Sequence, residues 1–163
     1  MTDTWDDRMA AVWADETLGD DERIAAVDAL AAERAEDDAR ALFERAGARD
    51  SAGREGEAET LYRRALEAGL DPEHRVQAVI QLASTIRNLG KTGEALALLE
   101  QEYARGGDDG FHDAAAAFYA LALSSVGRDR EAVSVALLAL APHLPRYIRS
   151  VTGYARELLD PRG

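Results

Sequence analysis

Three histidines, His74, His112 and His143, are the only imidazoles in the chain, and they stand 38 and 31 residues apart. General acid–base work or metal ligation needs such groups to converge with carboxylates or with one another. No HExxH, GxSxG, GxxxxGKS/T or GxGxxG pattern accompanies them. Cysteine is absent, which removes thiol nucleophiles, disulfides and Cys-based metal sites. Asp108 and Asp109 sit in a Gly-rich turn, but the oxygen-ligand spacing of a calcium loop is missing. The expectation is a chain with no catalytic role, cofactor or metal. Recognition chemistry is better represented. Gln77, Gln81, Ser84 and Asn88 recur at i, i+4, i+7 and i+11, which puts them on one stripe of a helix opposite Val79, Leu82 and Ile86. Amides there, with the guanidinium of Arg87 beside them, suit a peptide backbone or a carboxylate. The competing reading of that stripe is an ordinary solvated helix face.

The element that must position these residues is a repeated turn. Gly90-Lys91-Thr92-Gly93-Glu94-Ala95 has echoes in Gly53-Arg54-Glu55-Gly56-Glu57-Ala58 and Gly127-Arg128-Asp129-Arg130-Glu131-Ala132, each 37 residues away. All three read Gly-basic-x-x-Glu-Ala, and each joins two stretches of helical apolar spacing. A fixed period of this size marks a stacked repeat array. The Gly is expected to end one helix with positive φ. The Glu belongs in the first turn of the next, where the helix dipole favours an anion. The Ala permits two helices to cross closely.

On these residues the chain resembles the tetratricopeptide repeat family. The second unit supplies Val79, Leu82, Ala83, Ile86, Gly90, Ala95 and Leu99. The third supplies Ala116, Tyr119, Ala120, Leu123, Gly127, Ala132, Ala136 and Ala139, and the first Leu42, Ala46, Gly53, Ala58, Tyr62 and Ala65. The period of 37 exceeds the family's usual 34. Glu102 takes a small-residue position, and Arg45 and Arg49 take apolar ones. The resemblance implies an all-α, right-handed α-solenoid of stacked antiparallel helix hairpins. It implies repeats at 38–71, 72–109 and 110–144 (together 38–145), an acidic helical extension over 1–37 and a C-terminal capping helix and tail over 146–163. It also implies a protein–protein interaction scaffold that binds a protein or peptide segment in a concave groove. The groove positions it assigns include Arg40, Phe43, Gly47 and Asp50, then Gln77, Ile80, Gln81, Ser84, Arg87 and Asn88, then Ala114, Ala117, Phe118, Leu121 and Ser125. Phe43 and Phe118 are there either as anchors or as packing residues. Some members clamp a C-terminal carboxylate with Lys, Asn and Arg. The matching positions here are Phe43, Gly47, Gln81, Ala114 and Phe118, so that clamp is not present.

Charge and pattern fill in the rest. The net charge of −12 disfavours nucleic acid and anionic membranes as partners. Residues 1–38 hold 13 acidic and 3 basic residues, a net of −10, and the remainder is nearly balanced. No apolar run reaches the ~18 residues of a membrane span, and the opening lacks a basic region followed by an apolar one. A cytoplasmic protein is the expectation. Trp5, Met9, Val12 and Trp13 form a stripe on a helix over 4–16, and a second helix is expected over 21–35. The Trp stripe docks this extension on the array, or makes it a displaceable arm in the groove, or serves a dimer contact. Arg45 and Arg49 are read first as snorkelling against the acidic N-terminal helices and second as ligand-facing. The alternative function is a homo-oligomeric assembly module, a homodimer in its simplest form, that self-associates through the array or its N-terminal arm.

Overall fold

The structure, a computed structural model, describes residues 4–106 and 110–160. Asp108 and Asp109 of the Gly-rich turn lie outside the described residues. All regular structure among the described residues is helical. The chain divides into two compact units, residues 1–85 and 86–163.

The first unit holds α1 (Trp5–Ala14), α2 (Asp20–Ala31), α3 (Ala39–Ser51), α4 (Glu55–Ala68) and most of α5 (Pro72–Asn88). Thr4 opens α1 with a reciprocal cap: Asp7 N–H donates to Thr4 Oγ1 at 3.1 Å, and Thr4 N–H donates to Asp7 Oδ2 at 2.9 Å. The predicted stripe then turns inward. Met9 is fully buried with Ile24, Val27 and Ala48, and Trp5, Val12 and Trp13 pack around them. The acidic extension is thus docked on α3 through its apolar side.

α2 stops at Ala31, four residues before the expected end at 35. Continuing the helix would require the Leu30 carbonyl to accept from Arg34. Instead the Trp5 indole N–H donates to it at 2.8 Å, and the backbone tightens into short-range bonds from Glu33 to Leu30 and from Arg34 to Ala31. The Arg34 guanidinium lies 3.9 Å over the Trp5 ring. Asp38 then caps α3, accepting from the Ala41 N–H at 2.8 Å, so residues 36–38 separate two helices.

Arg45 and Arg49 face α2, as the first of their two readings expects. Asp28 accepts from Arg45 Nε at 3.0 Å and from Arg49 Nη2 at 2.8 Å, and Glu57 accepts from Arg49 Nε at 3.2 Å. Burial alone would raise the Asp28 carboxyl, but the bonds and charges of Arg49 and Arg45 outweigh it and hold it below the usual carboxylate range.

The three Gly-basic turns share one geometry. Gly53, Gly90 and Gly127 have φ of +71°, +82° and +78°. The following basic residue donates its N–H five residues back, from Arg54 to Arg49, Lys91 to Ile86 and Arg128 to Leu123, at 2.8, 2.9 and 3.0 Å. This is the six-to-one bond of a Schellman cap, and it needs the left-handed glycine. The same basic residue is the N-cap of the next helix, with φ/ψ of −95°/57°, −85°/51° and −89°/53°. Ala58, Ala95 and Ala132 are all buried.

The second unit comprises the last turn of α5, then α6 (Thr92–Arg105), α7 (His112–Ser125), α8 (Asp129–Leu140), a 3-10 turn over Ala141–His143 and α9 (Ile148–Glu157). Small residues set its packing: Ala115, Ala116, Ala120 and Ala122 bury one side of α7. Tyr103 of α6 stacks on His112 and Tyr119, with centroids 5.3 and 5.2 Å away. Pro142 ends α8 as expected. α9 packs on α8 and buries Ala155, while Ile148, Tyr154 and Leu159 stay exposed.

Candidate functional site

The first unit contains a cavity of ≈540 Å³ lined by residues from four helices. α3 contributes Arg40, Phe43, Glu44, Gly47, Asp50 and Ser51, and α5 contributes His74, Gln77 and Gln81. Both sets fall at i, i+3/i+4, i+7 spacing, so each is one stripe of its helix. Tyr62 of α4 forms part of the wall, and Trp13, in the last turn of α1, forms another. Gly47 leaves room for that indole. A Cβ there would lie 3.4 Å from Trp13 Cζ2 and 3.9 Å from the Tyr62 hydroxyl.

Two polar networks meet at this cavity. In the first, the His74 ring bonds through Nδ1 to Asp71 Oδ2 at 2.6 Å, and its Nε2 accepts from Arg40. Arg40 also donates through Nε to Glu44 Oε1 at 2.9 Å, and the Trp13 indole N–H donates to Glu44 Oε2 at 2.6 Å. Glu44 is only 5% exposed, so its charge is tolerated because Arg40 and the indole satisfy both oxygens. Phe43 is buried and meets His74 edge-on at 5.6 Å between centroids. It packs, and only part of its ring reaches the cavity.

The second network centres on Asp50. Thr85 Oγ1 lies 3.0 Å from Asp50 Oδ1 and 2.8 Å from the Gln81 carbonyl. The Tyr62 hydroxyl lies 3.4 Å from Asp50 Oδ2 and 2.5 Å from Gln81 Oε1. Each hydroxyl has one proton and two acceptors, and in each case the shorter contact is to Gln81. Burial pushes the Asp50 carboxyl above its ordinary range, against the hydrogen bonds from Thr85 and Tyr62 that pull it down. Burial, with the Asp50 charge beside it, also raises Tyr62.

Of the groove positions that the resemblance assigns, Arg40, Phe43, Gly47, Asp50, Gln77 and Gln81 line this one cavity. Ser84 is half-buried farther along α5, Arg87 is half-buried and Asn88 is exposed at that helix's end. Phe118 is half-buried on α7 in the other unit. Ile80, placed on the concave side by the resemblance, is 5% exposed and belongs to the core. Glu44, Ser51 and Tyr62 line the cavity without a binding role in the sequence reading. His74 is weighed there only for acid–base or metal chemistry, and Trp13 only as part of a docked or displaceable arm or a dimer contact. His74 could have been found, because it sits three residues before Gln77 on the same stripe. Tyr62 had been matched as a packing residue, and Glu44 shows its role only once Trp13 is in place. Trp13 reaches the cavity by packing across 31 residues of sequence to Glu44.

The other two histidines belong to the second unit. His112 stacks on Tyr103, and exposed His143 contacts Asp113 Oδ2 at 2.8 Å. Among the described residues no group of three or more His, Asp or Glu stands close enough to hold a metal ion. No helix among them is long and apolar enough to cross a membrane.

Helix hairpins joined by one recurring Gly-basic turn, with a polar cavity bounded by the first helices of two successive hairpins, define a helical-repeat protein. The tetratricopeptide repeat model matches residues 39–158, and the chain belongs to that family. Its members generally mediate protein–protein interaction and are generally non-catalytic. No curated protein and no solved structure matches the chain. The matched span leaves out α1 and α2, so the Trp13 wall of the cavity comes from outside the repeats.

Proposed function

We propose that this protein is a non-catalytic interaction scaffold that holds a segment of another protein in the cavity between α3 and α5. Arg40, Phe43, Gln77 and Gln81 are its contact residues, with the indole of Trp13 closing one side. The observation that supports this most is the convergence of half-buried amides, an aromatic floor and an opening of ≈540 Å³ in one place. Gln77 and Gln81 offer donors and acceptors to a peptide backbone, and Tyr62 already fixes the Gln81 amide by its hydroxyl contact. With a net charge of −12, nucleic acid and anionic membrane are not proposed as partners.

The test is affinity capture with the wild type, Gln77→Trp and Arg64→Glu. Gln77→Trp fills the cavity from a half-buried position, whereas Arg64 is exposed on α4. A protein held by the wild type and Arg64→Glu but lost with Gln77→Trp supports the cavity as the binding site. Equal capture by all three moves the site elsewhere. An Arg87→Glu arm reports whether contact extends along α5.

A second reading has its own support in the other unit. Tyr147, Ile148, Tyr154 and Leu159 are between 45% and 74% exposed around α9, an apolar surface that a second copy of the chain would cover. The N-terminal arm is less suited to that contact, since its apolar stripe is spent against α2 and α3. Light scattering of wild type and Tyr154→Glu decides it: a dimer that the substitution dissociates supports self-association, and a monomer at high concentration removes it.

A further inference from the structure

We infer that the cavity selects a cationic group, a lysine ammonium or an arginine guanidinium carried by the bound segment. This deepens the reading just proposed and rests on it. The argument starts from the unequal state of the two carboxylates that line the space. Glu44 is spoken for, with a guanidinium on one oxygen and an indole N–H on the other. Asp50 is not. Among the described residues no ion pair reaches it, and its only side-chain donors are two hydroxyls whose protons are also claimed by Gln81. Asp50 is half-buried, and a carboxylate there has no cation to offset the water it has lost.

The surroundings fit a cation better than a metal or an anion. On the wall Trp13 is half-buried and offers an indole that attracts an ammonium or guanidinium, while Phe43 and Tyr62 lie buried behind it. Hydroxyl and amide groups from Ser51, Gln77 and Gln81 supply acceptors for the remaining N–H groups. The one cation already present, Arg40, has its charge committed to Glu44 at 2.7 Å, which leaves it little to offer an anionic ligand. Its guanidinium also lies 5.9 Å from the Phe43 ring centroid, a further contact within the wall.

The probes are end-blocked pentapeptides, Gly-Gly-Xaa-Gly-Gly, with Lys, Arg, norleucine or Glu at Xaa. They are titrated into the full chain while the Trp13 indole and Gly47 amide resonances are followed by NMR. The Lys or Arg peptide is expected to shift both resonances at concentrations where norleucine and Glu do not. Asp50→Asn, which keeps the shape of the side chain, is expected to weaken that binding about tenfold, as for loss of a hydrogen bond to a charged group. The variant's unchanged amide spectrum elsewhere checks that it folds. If the norleucine or Glu peptide shifts the resonances equally, the cation assignment is overturned and the cavity as a peptide site stands. If Asp50→Asn binds Lys and Arg as wild type does, Asp50 is not the counter-charge and the inference fails. If no peptide moves either resonance, both the inference and the cavity reading fail.

Discussion

The two sides of α3 handle charge in opposite ways. Toward α2, two arginines converge on Asp28, and the buried guanidinium of Arg49 also reaches Glu57. Every charge there has its opposite. Toward α5, the helix presents Glu44 and Asp50 to an open cavity, and only Glu44 has a cation. The first side is built as a joint and uses its charges internally. The second leaves one charge to be answered from outside. The same thirteen-residue helix therefore carries a structural face and a receptive face, and the difference lies in pairing, not in polarity.

The largest effect expected is from breaking the joint. Asp28→Ala leaves Arg45 and Arg49 facing α2 without their shared partner. Removal of one member of a buried pair costs roughly 3–5 kcal/mol. Asp28 is 34% exposed, and Glu57 still reaches Arg49. The expected loss is therefore about 2 kcal/mol in urea unfolding, after that discount. A loss below about 0.5 kcal/mol, the scale of an exposed pair, would erase the contrast between the two faces.

The pH dependence sharpens the same contrast because the two aspartates must move in opposite directions. Asp28 is depressed in the fold, so its contribution is fully present above the ordinary value of 3.8 and is lost as pH falls through its folded value. Asp50 is raised, so its contribution is full below 3.8 and is lost as pH rises through its folded value. The groups facing it from α4 are Tyr62 and Glu55, and neither supplies a positive charge. At neutral pH Asp28→Asn should lower stability and Asp50→Asn should raise it. Both differences should vanish in strong acid, where the native carboxyls are protonated. Thermal melts of the two variants between neutral and acid pH check the signs. The same sign for both would mean that Asp50 is structurally paired after all.

The structural face was far more legible in the sequence than the receptive one. Helical period, the Gly-basic turns and Pro142 located the elements because each acts through its own neighbours along the chain. The excess of acidic residues before position 38 pointed to partners for Arg45 and Arg49, although not to Asp28 in particular. Arg40, Phe43, Gly47, Asp50, Gln77 and Gln81, six of the fifteen positions named from the polar stripe and the family pattern, line the cavity. The stripe alone could not place its limits, since Gln77 and Ser84 look alike to periodicity and only one of them borders the opening. The sequence put the Trp stripe in the groove only as a displaceable arm; that Trp13 walls the cavity from a docked helix depends on how α1 packs. The end of α2 was misjudged for a similar reason, with a distant indole taking the carbonyl that would have extended the helix.

The smallest effect distinguishes a cavity that is held open from one that is simply unfilled. Gly47 is inside α3, on the receptive face, with an ordinary right-handed backbone. Glycine in a helix interior costs about 1 kcal/mol relative to alanine. An added Cβ would touch Trp13 Cζ2 at 3.4 Å, close packing that the indole edge can accept with a small shift. Gly47→Ala is therefore expected to gain about 0.5 kcal/mol in urea unfolding, half the propensity difference. The Trp13 indole resonance should move only slightly. A loss of stability would instead mean that the indole cannot yield. Glu44 would then be gripping it through the 2.6 Å bond, and the cavity side would be as firmly set as the Asp28 side. The two faces of α3 would then differ in unmet charge alone, and not in rigidity.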